Sequence, residues 1–574
     1  MAELKVEKKT IKQLFADAGR NTCFLIPDYQ RPYAWGNTEC ETLWNDIYSF
    51  AFPDNDYTKF DSDKLYFLGP IVTFRNNGKL EVIDGQQRII TLMLLLRVLY
   101  EAYGTASQDE NSINTKRTIS QCLWKTDEFD NPDTSKLRIE SEVATELLKE
   151  EFTKILLTGE APDEFKSKYS ENYRFFQGKI TQLLQEAPVH FPYMAARILR
   201  NCILFPIEAD SMDDALRIFS TLNDRGKPLS DSDIFKAQLY KAFNDESETQ
   251  KEKFISQWKE LESTCYKIFK SGADNPMDEL FTRYMYYERA KRGVKVSTLE
   301  GLRKFYETEN YKLLRENHSQ TFNNLILLAG FWNDVAGQNP ERFSDRVLRR
   351  LFVLNYAPNS MWKYITSVYF LHNKDINNKL DDEKFYNFLN TIIAFIWAFT
   401  IIRPGVNQLR TPVFSEMVNI VNDKEVTFQE FKFNTDELKQ ILSIYTFNQN
   451  RPVTRSMLTW YAFNDPEQEL IPIETILEIE HIYAKNRQPA PANLEALGNK
   501  SLLEKKINIR ASDYRFIDKR KYYKGEVSRR PRTQIHELLK LAEQDDFTES
   551  DIQARNNKII QSFINFIISN NLAK

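Results

Sequence analysis

Cysteine is scarce in this chain: five in 574 residues (Cys23, Cys40, Cys122, Cys202, Cys265), scattered and never in a Cys-x-x-Cys pair. That excludes a disulfide framework and a cysteine zinc site, and it points to a reducing compartment. Histidine is equally scarce, with His190, His318, His372, His481 and His536. A surplus of one charge is missing too. The 77 Lys and Arg nearly balance the 81 Asp and Glu, for a net charge of −4, so any nucleic-acid surface must be local. The most apolar run, "IIAFIWAFTII" at 392–402, is too short to span a bilayer and ends at Arg403-Pro404. The opening "MAELKVEKKTIKQLF" is charged and amphipathic, without the apolar core of a signal peptide. The expectation is a cytoplasmic protein with no membrane partner. There is no fixed-period repeat and no low-complexity tract.

What is present is an ordinary globular composition, 42% hydrophobic and 28% charged. The length suggests roughly two to four domains. "FLGPIVTF" (67–74) and "KLEVI" (79–83) are strand-like runs joined through Asn76-Asn77-Gly78, a hairpin signal. A helix from about Gln86 to Tyr103 follows. Residues 104–142 are polar and predict a surface insertion. Helical patterns dominate 143–245, and 246–440 read as almost wholly helical. After about 440 the character changes again, and 498–532 carry twelve Lys and Arg against four acids. Tyr514, Phe516, Tyr522 and Tyr523 are interleaved there. Such a basic, aromatic-studded window is the footprint of a phosphate-backbone partner, with Lys505, Lys506, Arg510, Arg515, Arg520 and Lys521 as DNA-contact candidates. The bland alternative is a solvated helical face. The expected division is 1–245, 246–440 and 441–574.

Three stretches of the N-terminal half carry chemistry. In "IPDYQRPYAWG" (26–36) two prolines force an extended or turning chain. Tyr29, Tyr33 and Trp35 could stack on a base, and Gln30 and Arg31 could grip a phosphate. Core anchoring and a structural ion pair explain the same residues equally well. In "EVIDGQQRIITLMLLL" (81–96) an apolar helix opens on Asp84, Gly85, Gln86, Gln87 and Arg88. A helix N-terminus after glycine offers free N–H groups and a positive dipole end, and Arg88 adds a fork matched to phosphate. An Asp-Gly turn with capping amides is the alternative. It is neither a Walker loop nor a GxGxxG. The third stretch, "IFSTLNDRGKPLSDSDIFKAQL" (218–239), has a polar turn at Asn223 and Arg225, a left-handed cap at Gly226, and a new helix capped by Ser230 or Asp231.

In the C-terminal part, "EIEHIYAKN" (478–486), "LGNKSLLEKKINIR" (497–510) and "YRFIDKRKYY" (514–523) follow one another. Glu480 to Asn508 spans about the length of a ββα unit. A carboxylate with an amide carbonyl suits a hard cation such as Mg²⁺. A neutral imidazole beside it can take a proton from water, and a second asparagine can hold that imidazole. A lone histidine in a hairpin is the alternative.

Taken in order, IPxYQRxYxW, FLGxIV, DGQQR and LNxRGxxLxxxDxxK resemble the N-terminal domain of the GmrSD family of Type IV, modification-dependent restriction systems, over about residues 10–240. The order EH, LGN, N and F-x-x-K resembles the family's HNH (His-Me finger) C-terminal domain. The resemblance implies an α+β, mostly helical protein with a ParB/sulfiredoxin-like domain, a helical connector and a ββα-metal nuclease domain. It implies that a nucleoside triphosphate is bound and hydrolysed at the DGQQR segment, with Gln30, Arg31, Asn223 and Arg225 nearby. It implies His481 as general base, Asn499 as its orienter, Glu480 and Asn508 as ligands of Mg²⁺ or Mn²⁺, and Lys519 as a phosphate contact. The partner implied is phage DNA carrying modified bases or backbone, with a homodimer as one route to double-strand breaks. Two departures stand out: Tyr483-Ala484 replace the proline usual after the histidine, and Lys500 replaces an apolar residue after LGN. The rival expectations are a nucleotide-gated DNA-binding protein without catalysis, and an NTPase that depletes nucleotides.

Overall fold

The computed structural model describes residues 5–105, 109–143, 146–162, 167–212, 214–216, 218, 230–269, 275–296, 298, 300–448, 450–486, 490–527 and 530–574. They form two compact units, Met1–Ile255 and Ser256–Lys574. The fold is mostly helical α+β with a small mixed sheet, as expected.

The first unit is built on a seven-stranded sheet. The order is Lys5–Val6, Cys202–Ala209, Tyr66–Asn76, Lys79–Asp84, Phe24–Ile26, Ile139–Ser141, with Lys9–Thr10 also pairing Cys202–Ala209. Tyr66–Asn76 and Lys79–Asp84 form the hairpin the Asn-Gly signal predicts, and Asn77 and Gly78 both take positive φ (45° and 78°), as its tight turn requires. The helix Gln86–Thr105 packs on this sheet. Its residues Ile89, Ile90 and Leu92 through Leu96 are all at most 1% exposed. A helix apolar all round belongs inside a core.

The polar stretch 104–142 departs from its expected role, and the predominantly helical stretch 143–245 contains a strand besides. The first is not merely a surface insertion. It forms the helix Glu110–Leu123, which buries Ile119, Cys122 and Leu123 at helical spacing, and it supplies the strand Ile139–Ser141 to the main sheet. Within the helical stretch 143–245 lies the strand Cys202–Ala209, parallel to Tyr66–Asn76. Its Pro206 and short apolar run obscured it, because buried strands and helix segments of that length look alike in sequence.

The described residues of the second unit form a helical assembly carrying one small hairpin. Helices run from Pro276–Lys291 through Pro452–Phe463. Among the described residues one helix, Asp382–Ile402, is long and apolar enough to cross a membrane by length and composition, and 72% of its most apolar window is buried in the protein. The 392–402 run is thus the second half of a 21-residue core helix. The strands Leu477–His481 and Lys500–Glu504 pair antiparallel, with His481 opposite Lys500 and Glu480 opposite Ser501. The short helix Lys505–Ala511 follows directly and packs back on both strands. The helix Glu549–Ser569 closes over the Leu497–Asn499 turn.

Candidate functional site

Two constellations emerge, one in each unit. In the first, Lys79–Asp84 carries Asp84 to its end, Gly85 turns the chain, and Gln86 opens the helix at once. The two amides have different tasks. Gln87 Oε1 accepts from the N–H groups of Ala34 (2.7 Å) and Trp35 (3.3 Å), and its Nε2 donates to the Pro32 carbonyl (3.1 Å). It therefore clamps the 32–35 loop. Gln86 Nε2 donates to Gln30 Oε1 (3.2 Å), and Gln30 Nε2 donates to the Ile83 carbonyl (3.1 Å). Gln86 Oε1 and Arg31 Nε are buried with no hydrogen-bond partner.

Arg88 donates from Nη1 to the Pro70 carbonyl (3.0 Å) and lies over Gly69, where an added Cβ would come within 2.8 Å of the guanidinium carbon. Burial raises the Asp84 carboxyl above its ordinary range, against the Gly85 N–H and the charges of Arg88 and Arg31. Burial likewise lowers the Arg88 guanidinium, with Asp84 opposing. Two guanidiniums and a carboxylate thus meet at a helix N-terminus, a set that suits an anion.

Tyr29 and Tyr33, expected against a base, are buried. The Tyr29 hydroxyl donates to Glu81 (3.2 Å), and its ring centroid lies 4.5 Å from that of Tyr240. The Tyr33 hydroxyl shares hydrogen bonds with Thr91 (2.7 Å) and Asn172 (2.8 Å), and the ring stacks on Tyr169. Both anchor the loop from inside, and stacking on a base would require them to leave these partners. Trp35 is half-buried. Ser230 caps the helix Asp231–Glu246 through a capping box with Asp233. Asn223 and Arg225 lie outside the described residues.

In the second unit His481 ends its strand. Its Nε2 is buried without a hydrogen-bond partner, 3.6 Å from Glu495 Oε1. Burial pushes the imidazole down to about 4, helped by Lys500, Lys485 and Lys519 and opposed by Glu495. A side chain so placed is neutral and can accept a proton. The Lys500 ammonium, fully buried, donates to the carbonyls of Phe447 (2.5 Å) and Glu495 (3.0 Å) and to the carboxylate of Glu495 (2.5 Å). Burial raises the Glu495 carboxyl, but its hydrogen bond and ion pair with Lys500 prevail and hold it below the ordinary range. His481, Glu495 and Lys500 therefore form a chain in which a carboxylate, itself fixed, stands ready to steady an imidazolium. Lys500 looked like a departure from the family pattern, and here it has a task. Glu495 was not legible in the sequence, because it sits in an irregular loop with no motif.

The LGN turn is held from both sides. Asn499 Oδ1 accepts from the Tyr483 N–H (2.7 Å), and its Nδ2 donates to the carbonyls of Tyr483 (3.2 Å) and Leu494 (3.0 Å). It fixes the backbone just after His481 and the backbone of Leu494, next to Glu495, and makes no bond to the imidazole. Gly498 is required by close approach: an added Cβ would lie 2.1 Å from the Ile552 carbonyl oxygen. Arg555 Nη1 donates to the carbonyls of Leu497, Gly498 and Lys500.

Glu480 and Lys519 pair with each other in the interior. Neighbours on a strand face opposite ways, and Glu480 is 3% exposed, accepting from Lys519 Nζ (2.8 Å) and the Tyr523 hydroxyl (2.6 Å). Burial raises its carboxyl, with Lys519 opposing first. Lys519, 1% exposed, also donates to the His481 carbonyl (2.6 Å). Asn508 donates to Glu478 Oε2 (2.9 Å), whose other oxygen lies 3.8 Å from Lys505. Of the basic window, Lys505, Lys506, Arg515 and Lys521 are exposed and Arg510 and Arg520 half-buried. Exposed Ile509, Tyr514 and Ile517 lie among them.

Against this geometry, two family models match the chain. The N-terminal domain of the GmrSD restriction endonuclease matches residues 11–240, and the C-terminal domain of GmrSD restriction endonucleases matches residues 428–562. The chain is a restriction-type endonuclease with a role in defence and DNA as substrate. It belongs to the GmrSD family of Type IV restriction enzymes. No curated protein matches it.

Proposed function

We propose that this protein restricts invading, modified phage DNA in the cytoplasm through an HNH-type nuclease site at His481, governed by a nucleoside triphosphate at the Asp84–Arg88 turn. The observation that carries the nuclease half is the neutral His481 imidazole backed by Glu495 and Lys500 on a hairpin followed by a helix. In this reading His481 takes a proton from water as the water oxygen bonds to phosphorus, the P–O bond to one sugar breaks, and the departing sugar oxygen takes a proton from solvent. Glu495 then stabilises the imidazolium, and general-base catalysis of this kind contributes on the order of 10²–10⁴-fold. Asn499 acts as a positioning residue through the backbone.

The donors expected for Mg²⁺ or Mn²⁺ do not fit as arranged. The Lys519 ammonium occupies Glu480, and the Asn508 amide faces Glu478.

The nucleotide half is supported by the helix N-terminus after Gly85, the guanidiniums of Arg31 and Arg88, and the unpartnered Arg31 Nε and Gln86 Oε1. A triphosphate there would supply binding energy that differs between two states of the protein, which is what regulation requires. The N-terminal unit in this reading is a ParB-like sensor. Two protomers acting on opposite strands would make a double-strand break.

Plating of phages with glucosylated-hydroxymethylcytosine and with unmodified DNA on cells expressing the wild type, Arg88→Ala and His481→Ala tests the proposal. Protection against modified phage that each variant loses is the expected result. Full protection by His481→Ala sinks the nuclease reading, and full protection by Arg88→Ala sinks the nucleotide reading.

A further inference from the structure

The helical part of the second unit contains a cavity of about 400 Å³ that no part of the nuclease reading uses. That volume is in the range of small-molecule sites. Its floor is Arg283, only 2% exposed, on the helix Pro276–Lys291. The guanidinium is sandwiched between the rings of Phe269 and Trp332, with its carbon 4.3 and 4.2 Å from the two centroids. Its Nε is paired with Glu279 at 2.9 Å, but its Nη1 is buried with no hydrogen-bond partner.

A second cation lines the same cavity. Lys363, on the helix Met361–Asn373, is half-buried, and among the described residues its ammonium has no ion pair. Burial and the neighbouring Arg283 both lower it, with Glu279 opposing. One buried and one half-buried cation therefore stand near a single carboxylate, Glu279, whose hydrogen bond goes to Arg283. Desolvated charge left unpaired is costly, and a fold tolerates it where a ligand of opposite sign completes the site.

The rest of the lining says what kind of anion. Val335, Ala336 and Ile473 make an apolar wall, while Asn355 and Ser360 offer hydrogen bonds. A bare inorganic ion would leave the apolar wall unfilled. Phosphate carries close to two negative charges at neutral pH and can take donors from both cations at once.

We propose that this cavity binds a small phosphorylated molecule with a flat ring, a nucleoside monophosphate in class, its phosphoryl group between Arg283 and Lys363. The site stands apart from the Asp84–Arg88 turn, which lies in the other unit. Ile473 belongs to the segment that runs into the His481 strand, and it is held there by Gln338, whose Oε1 accepts from the Ile473 N–H at 2.9 Å. An occupant of the cavity therefore touches the chain just before the nuclease hairpin.

The test is isothermal titration of the full-length protein carrying Arg88→Ala, so that the other nucleotide site is disabled, with AMP, inorganic phosphate and benzoate. The expected result is one AMP per chain, competition by inorganic phosphate, and no binding of benzoate. In the same background Lys363→Met should weaken AMP by about tenfold or more, the value of one charge-assisted contact. Lys363→Met removes a half-buried unpaired cation, so the melting temperature should not fall. Arg283→Met is a second variant with the same expected loss. AMP affinity unchanged in Lys363→Met, no heat with AMP, or benzoate binding in place of AMP would each overturn the proposal.

Discussion

The Lys519 ammonium lies 2.8 Å from Glu480 Oε1, and both side chains are all but removed from water. Lys519 also holds the His481 carbonyl, so this pair supports the histidine from behind its strand. Removing one member of a buried pair strands the other charge, at a cost of about 3–5 kcal/mol. Lys519→Met should lower unfolding free energy by that order, and Glu480→Gln by a similar amount. The double variant should lose much less than the two together, as measured by denaturant titration of all three proteins. Additive losses would show that the two side chains do not interact.

Gly69 makes room for Arg88. A methyl group at Gly69, where φ is +122°, would press on the guanidinium. Gly69→Ala should therefore weaken nucleoside triphosphate binding as Arg88→Ala does, about tenfold or more if the guanidinium meets phosphate, while DNA cleavage groups stay intact. Equilibrium binding of a fluorescent ATP analogue to both variants checks this. Wild-type affinity in Gly69→Ala would separate Arg88 from the nucleotide.

The exposed cations of the 505–521 surface should govern DNA affinity through salt. Each phosphate contact removed flattens the slope of log K against log salt by about 0.9. Lys505→Gln with Lys506→Gln should reduce the slope by about 2 and weaken binding to all duplex sequences alike. Fluorescence anisotropy over a salt series measures it. An unchanged slope would place the DNA path elsewhere.

Much of this was legible in the sequence, and the rest was hidden for identifiable reasons. The Asn77-Gly78 hairpin and the apolar helix after it could be read directly, because turn chemistry and hydrophobicity are local. The order of His481 and Asn499 was legible as a motif, but not the means by which Asn499 works, which is through the Tyr483 backbone. Sequence adjacency makes Glu480 and His481 look like one site, whereas strand alternation sends them to opposite faces. Glu495 reaches His481 only because an irregular loop returns there, and no periodicity reports a loop's path. The Cys202–Ala209 strand was masked by its proline, and the Glu110–Leu123 helix by the polar residues around its few buried ones.

In the proposed reading His481 is the proton acceptor of a DNA-cutting site. The most direct measurement is cleavage by purified protein of matched unmodified, glucosyl-hydroxymethylcytosine and phosphorothioate DNA, with Mg²⁺, with and without nucleoside triphosphate, beside His481→Ala. The expected result is cutting of a modified substrate by the wild type. His481→Ala should lose at least about 100-fold, with DNA affinity and melting temperature unchanged. Cutting by His481→Ala at the wild-type rate would rule out that role for His481.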